Sequence, residues 1–281
     1  MGAYSSTIVA MPMSRDARPD RRGSFTVTER ALLSHVDEGV ARRWGVREDL
    51  VVEGAVAAPL HLLIDGWACT YRQLDERRRQ ITGFLLPGDL SDADVSSDSR
   101  AGQSVMALTP LTTTMFERDA VERAANGFPK LRQALLRQMM GSVGMQREWT
   151  VSNGRRTATE RIAHLFCEFH TRLEAVEMVD GSEFDLPVTQ IDIADATGLT
   201  PVHVNRVIQQ LRTDGLIRLE RRRLLVRNRA ALEAAAAFDP AYLEAQLLAL
   251  RGPAERGVAI GSATMWKDMR HLVGRTAAHA V

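Results

Sequence analysis

Thr200-Pro-Val-His-Val-Asn-Arg-Val-Ile-Gln-Gln-Leu-Arg-Thr-Asp214 is the stretch whose reading decides the fold of this 281-residue chain. A threonine just before a helix accepts an orphan backbone N–H, and a proline at the first helical position has no N–H to leave unpaired. Thr200 and Pro201 therefore open a helix, and Gly215 stops it. Val204, Val207, Ile208 and Leu211 recur on one face and should pack inward. Val202, His203, Asn205, Arg206 and Gln209 are left facing out. Just upstream, Thr189-Gln-Ile-Asp192 has the spacing of a capping pair, so a shorter helix starts there with Ile193 and Ala196 on its apolar side. Gly198 can take the positive φ that ends it, and Leu199 fills the turn. Two capped helices around a glycine turn predict a helix-turn-helix.

Two short strands follow, Leu216-Ile-Arg-Leu219 and Arg223-Leu-Leu-Val226, with Glu220, Arg221 and Arg222 between them: a β-hairpin wing with an arginine tip. From Thr200 to Arg229 eight arginines face two carboxylates, a net +6 in a chain whose total is +1. An arginine run is also what a solvated face looks like, and helix-turn-helix patterns arise by chance. Here caps, turn, wing and charge agree, which is the footprint of phosphate binding. The candidate DNA-binding residues are Thr189, Thr200, Val202, His203, Asn205, Arg206, Gln209, Arg221 and Arg222. Arg206 has the length and fork for guanine O6 and N7, Val202 can meet a thymine methyl, and the wing arginines suit phosphates.

Outward from this segment the chain reads as an α+β protein. Short strand-like runs between Trp44 and Phe116, separated by Glu53-Gly54, Asp65-Gly66 and Pro87-Gly88-Asp89, suggest a β-barrel or sandwich. Pro129 opens a long helix whose apolar surface includes Leu131, Leu135, Leu136, Met139, Met140, Val143 and Met145. That surface must be buried, either on the chain's own barrel or on the twin helix of a second copy. The dimer is the expectation, with Leu131, Leu135, Met139 and Ser142 as contacts. Gly141 and Gly144 each cost this helix roughly 1 kcal/mol relative to alanine. Val151-Ser-Asn-Gly154 should break it, and Thr157 with Glu160 should cap the next, with Ile162, Leu165, Phe166 and Phe169 inward. A helical pattern at Thr28, Leu32, Leu33 and Val36 precedes the strands. The expected division is a disordered arm at 1–25, a roll at 26–127, a dimerisation helix at 128–154, a DNA-binding domain at 155–250 and a poorly ordered tail at 251–281.

Composition narrows the function. Hydrophobic content of 45% and charged content of 25% suit a soluble globular protein, and no apolar run reaches the length of a membrane span. The N-terminus lacks the apolar core of a secretory signal. Two scattered cysteines, Cys69 and Cys167, suit a reducing cytoplasm and cannot supply the four ligands of an iron–sulfur cluster. Cys69 alternates with Trp67 and Tyr71 and reads as a buried strand residue. Glu160, His164 and Glu168 share one helix face, but without further donors they read as a solvated or ion-paired face rather than a metal site. Trp149 and Phe169 read as hinge or core packing. No nucleophile with a partnered base is visible, so an enzyme is not expected, and no cofactor or metal is implied.

Ile64-Asp-Gly-Trp-Ala-Cys-Thr-Tyr71, Gln80-Ile-Thr-Gly-Phe-Leu-Leu-Pro-Gly-Asp89, the helix after Phe128-Pro129 and Leu199-Thr-Pro-Val-His-Val-Asn-Arg206 resemble the Crp/Fnr family of bacterial transcription regulators, from about Leu33 to Leu243. The resemblance implies an N-terminal cyclic-nucleotide-binding-like double-stranded β-helix (jelly-roll), a long dimerisation helix and a C-terminal winged helix-turn-helix. It also implies a base-reading arginine at Arg206, a homodimer on double-stranded DNA and RNA polymerase as a further partner. It places an effector pocket near Asp89, Gln103 and Ser104. Gln103 and Ala93 stand where relatives that bind cyclic AMP carry an arginine and a glutamate, and Asp92 and Asp94 would repel a phosphate. No cyclic AMP binding is therefore expected, and any effector is unidentified. The rival expectation is a ligand sensor in which the roll is the working part and DNA binding is secondary. A third is a regulator that needs no ligand and is controlled by its own concentration.

Overall fold

The computed structural model describes residues 32, 36, 39–75, 78–92, 94, 96 and 98–251, with side chains described up to 248. The arm at 1–25, Thr28, Leu33, Ala93 and residues 252–281 lie outside the described residues.

Seven strands build the N-terminal roll: β1 (Val40–Trp44), β2 (Asp49–Val51), β3 (Leu60–Asp65), β4 (Ala68–Gln73), β5 (Arg79–Leu85), β6 (Ser104–Ala107) and β7 (Leu111–Phe116). They form two antiparallel sheets, ordered β1-β7-β3 and β2-β6-β4-β5. Trp44, Val51, Leu63, Ala68, Val105, Ala107 and Leu111 form one apolar cluster of the roll. Gly66, at φ +89, makes the turn from β3 to β4, where a Cβ would strike the Pro110 carbonyl.

Helices α1 (Arg118–Gly127) and α2 (Pro129–Arg155) follow. Proline at the start of α2 and 27 residues of helix match the expectation, but Val151–Gly154 do not break it: the helix runs through to Arg155. The start of α2 belongs to the roll. Leu131 and Leu135 are buried with Leu32, Val36, Leu60, Leu62, Phe116 and Val121. These two residues, expected on a dimer seam, are therefore out of reach of a second chain. The seam on offer is displaced around the helix, with Leu136, Met139, Met140, Val143 and Val151 all exposed. Met139 stays on it. Ser142 is half-buried and bonds the Gln138 carbonyl.

Thr157 and Glu160 form a full capping box at the start of α3 (Ala158–Ala175). The C-terminal part continues with β8 (Glu183–Asp185), α4 (Gln190–Thr197), α5 (Pro201–Thr213), β9 (Ile217–Glu220), β10 (Arg223–Val226), α6 (Arg229–Ala236), a 3-10 turn (Pro240–Leu243) and α7 (Glu244–Arg251). Arg251, expected to open the tail, still belongs to α7. The wing sheet has three strands, β8-β10-β9.

One core joins the two parts. Trp67, just before β4, and Cys69, Ile81 and Phe84 of the β4–β5 sheet share a cluster with Ile162, Phe166 and Phe169 of α3 and Val204, Ile208 and Leu211 of α5. The Phe169 ring meets Trp67 and Phe84 edge-on at 5.0 and 5.1 Å, and Trp149 stands 5.9 Å from Phe84. The aromatic residues are thus core packing. Cys69 is fully buried, and burial pushes its thiol up to about 12.

Candidate nucleic-acid interface

The two helices of the motif form for the reasons their sequences give. Thr189 caps α4 in a box with Asp192, Gly198 ends it at φ +65, and the Thr200 hydroxyl accepts from the His203 N–H to start α5. Val204, Val207, Ile208 and Leu211 are the buried residues of α5. The opposite face, with Val202, His203, Asn205, Arg206 and Gln209, is exposed. Val202 is 65% exposed, an apolar side chain left in water on a face that is otherwise polar. An open groove of about 420 Å³ beside α5 is lined by Thr159, Thr200, Val202, His203, Arg206 and Gln210, among others.

The wing ends in a two-residue turn. Glu220 pairs with Arg223 across the hairpin, so Arg221 and Arg222 are its centre, at φ +49 and +63. Two positive φ values in succession are the positions where Asn-Gly is preferred. Here both carry long cations, and both are exposed. Of the eight arginines from 200 to 229, Arg223 is paired with Glu183 and Asp185, and Arg229 with Glu174 and Glu233. Arg206, Arg212, Arg218, Arg221, Arg222 and Arg227 have no acidic partner among the described residues. Cations left unpaired beside an exposed helix face are what a phosphate backbone needs.

Thr189 is half-buried and bonded within the protein. Its hydroxyl is committed to the Asp192 carboxylate at 2.7 Å, and Asp192 faces the roll, bound by Arg47 at 2.7 Å and Arg79 at 3.1 Å. Burial alone would raise the Asp192 carboxyl, but the bonds from Arg47 and Thr189 hold it below its ordinary value.

The comparisons with known proteins agree with this geometry. The Crp-like helix-turn-helix domain matches residues 160–235. The chain is 33% identical over 169 residues to the transcriptional activator protein FnrL of Cereibacter sphaeroides, covering 58% of this chain and 66% of the relative. It is 31% identical to the transcriptional activatory protein AadR of Rhodopseudomonas palustris, covering 62% and 72%. The chain belongs to the Crp/Fnr family of transcription regulators. Among solved structures, FixK2 of Bradyrhizobium japonicum matches this Crp/Fnr chain with a TM-score of 0.65 and 26% identity, covering 72% of it and 99% of that structure.

The region that the Crp/Fnr resemblance gives to an effector is engaged by the chain itself. Asp89 is buried; its carboxylate accepts from Leu86 N–H, from Arg172 of α3 at 2.5 Å and from Gln246 of α7 at 2.5 Å. It is thereby a strut between roll and DNA-binding part rather than a pocket residue. Gln103 accepts the Thr82 hydroxyl at 2.5 Å, and Ser104 accepts the Glu53 N–H at 3.0 Å. Arg118, itself buried, binds Asp92 and the Asp94 carbonyl, so the acidic loop is closed from inside.

Glu168 and His164 correct a further expectation: their face is ion-paired but not solvated. Glu168 is fully buried, bonded by Arg172, by the Trp149 indole at 3.0 Å and by the Tyr242 hydroxyl at 3.0 Å. His164 is buried against Phe238 and Tyr242, and burial pushes it down to about 3. Sequence reasoning missed Arg172, Tyr242 and Gln246. Only the Glu168–Arg172 spacing of four on one helix could have signalled any part of this cluster. Among the described residues no cluster of histidine, cysteine and carboxylates suits a metal, and no helix is long and apolar enough to cross a membrane.

Proposed function

We propose that this transcription regulator works as a homodimer on a palindromic DNA site, with α5 of each protomer in the major groove and the wing on the backbone. The observation that carries the reading is the exposed Val202–Gln209 face of α5 beside unpaired arginines. The exposed apolar row on α2 from Leu136 to Val151 supports the dimer, because a long helix with such a row needs cover. Within this reading 26–127 is the sensor-like part, 128–154 the dimer helix and 155–250 the DNA-binding part, and the protein acts in the cytoplasm. RNA polymerase is a partner only by analogy with the activators it resembles. Action controlled by concentration is favoured over effector control, because Asp89, Gln103 and Ser104 are bonded within the protein.

The test separates base reading from phosphate binding. Arg206→Ala should cost about 1–3 kcal/mol per half-site and relax preference at one base pair. Arg222→Ala should weaken all sequences alike and flatten the salt dependence by about one unit of slope for each phosphate left without its cation. Anisotropy titrations over a panel of duplexes and salt concentrations measure both. Sequence preference that survives Arg206→Ala but changes with Arg222→Ala would overturn the assignment of α5 as the reading helix.

A further inference from the structure

The chain continues past the Crp-like domain, which ends its match at 235, and folds back onto α2. Gln246 is fully buried, and its amide donates to Asp89 of the roll at 2.5 Å. Tyr242 donates to Glu168 of α3 at 3.0 Å and stacks on His164 at 5.6 Å. Leu243 between them is fully buried. The surface that receives this segment is made by the two glycines of α2. A Cβ on Gly141 would lie 2.9 Å from the Gln246 Cα, and one on Gly144 would lie 2.7 Å from the Tyr242 carbonyl oxygen. Glycine weakens a helix interior, so two of them three residues apart need a reason, and close approach of backbone 242–246 supplies it. The same segment therefore touches the roll, the dimer helix and the first helix of the DNA-binding part. Between themselves α2 and α3 are joined through Arg156, the cap at Thr157 and the Trp149–Glu168 bond, and the Tyr242–Gln246 segment adds a second bridge between them.

We propose that Tyr242 and Gln246 are positioning residues for DNA recognition: seated on Gly141 and Gly144, they fix the winged helix-turn-helix against the dimer helix, so that a dimer accepts half-sites at one spacing only. The proposal rests on the DNA-binding reading above and adds to it the device that sets the distance between recognition helices. The seated segment leaves the Val202–Gln209 face and the Leu136–Val151 row exposed, so it hinders neither DNA nor a second protomer. Its effect is preorganisation. A DNA-binding part held less firmly against α2 would lose more freedom on binding both half-sites and would also tolerate the wrong spacing.

The experiment uses the full chain with Gly144→Ala, and separately Tyr242→Phe with Gln246→Ala. Gly144→Ala improves the intrinsic propensity of α2, so lost function cannot be laid to a weakened helix. The probes are the inverted repeat that the wild type selects from random duplexes, the same repeat with one or two base pairs added at its centre, and a single half-site. The wild type should prefer the selected repeat over the expanded ones by about tenfold or more. Both variants should bring that ratio to within about twofold, while remaining dimeric by sedimentation and binding the half-site as before. A spacing preference unchanged in both variants overturns the proposal while leaving the DNA reading intact. A wild type that selects no inverted repeat overturns both.

Discussion

The centre of the wing turn shows how a residue choice that is poor for stability serves a surface. Arg221 and Arg222 both hold left-handed backbone, which costs a side chain with a Cβ roughly 1 kcal/mol or more each. Arg221→Asn with Arg222→Gly gives the turn its preferred pair. The double variant should melt higher, by about 1 kcal/mol of stability, and bind DNA more weakly at every sequence, with a shallower salt slope. A variant that is no more stable, or that loses affinity for one sequence only, would contradict this account of the tip. Residue identities on α5 were legible because caps and one-face spacing are local: Thr200, Pro201 and the Val204–Leu211 row lie within twelve residues of one another. At Thr189 the cap was legible, but not that its carboxylate partner Asp192 turns to Arg47 and Arg79, which lie more than a hundred positions away in sequence.

Among the elements, α2 is the one whose two faces the sequence could not apportion. Leucines and methionines occupy most of its circumference, so periodicity marks a helix that needs cover without saying which side meets which partner. The roll takes Leu131 and Leu135, α7 takes Gly141, and Leu136, Met140 and Val143 remain exposed. Met140→Glu with Val143→Glu should leave each protomer folded and shift the dimer to monomer, since uncompensated charges in the interface cost about 3 kcal/mol or more. Sedimentation at micromolar concentration measures it. Leu135→Glu should instead unfold the roll end of α2, because that side chain is internal to one protomer. A double variant that stays dimeric would place the interface elsewhere. The three-residue β8 was not legible at all, being too short to show alternation.

At the scale of the whole molecule, the roll and the DNA-binding part are joined by buried polar groups that no local pattern reveals. The Asp89–Gln246 bond spans 157 positions of sequence. Buried histidines make the assembly sensitive to acid. His61 is pushed down to about 4 and His164 to about 3, chiefly by burial, from an ordinary value of 6.5. Both are neutral when folded at pH 5, whereas the unfolded chain takes up a proton at each below 6.5. Stability is therefore fully present above 6.5 and is lost as pH falls toward the folded values, by about 1.4 kcal/mol per pH unit for each proton. Burial pushes His170 down as well; denaturant titrations between pH 7 and 5 should show the loss, and His61→Gln should make the slope shallower. A slope the same in wild type and variant would contradict the assignment. On the proposed reading, two copies of α5 carried by one dimer read a twofold DNA site. Selection of bound sequences from random duplexes by the purified full chain measures this. An inverted repeat with half-site centres about one helical turn apart, roughly 34 Å, is the predicted result; enrichment of a single unrepeated motif, or of no sequence, would contradict it.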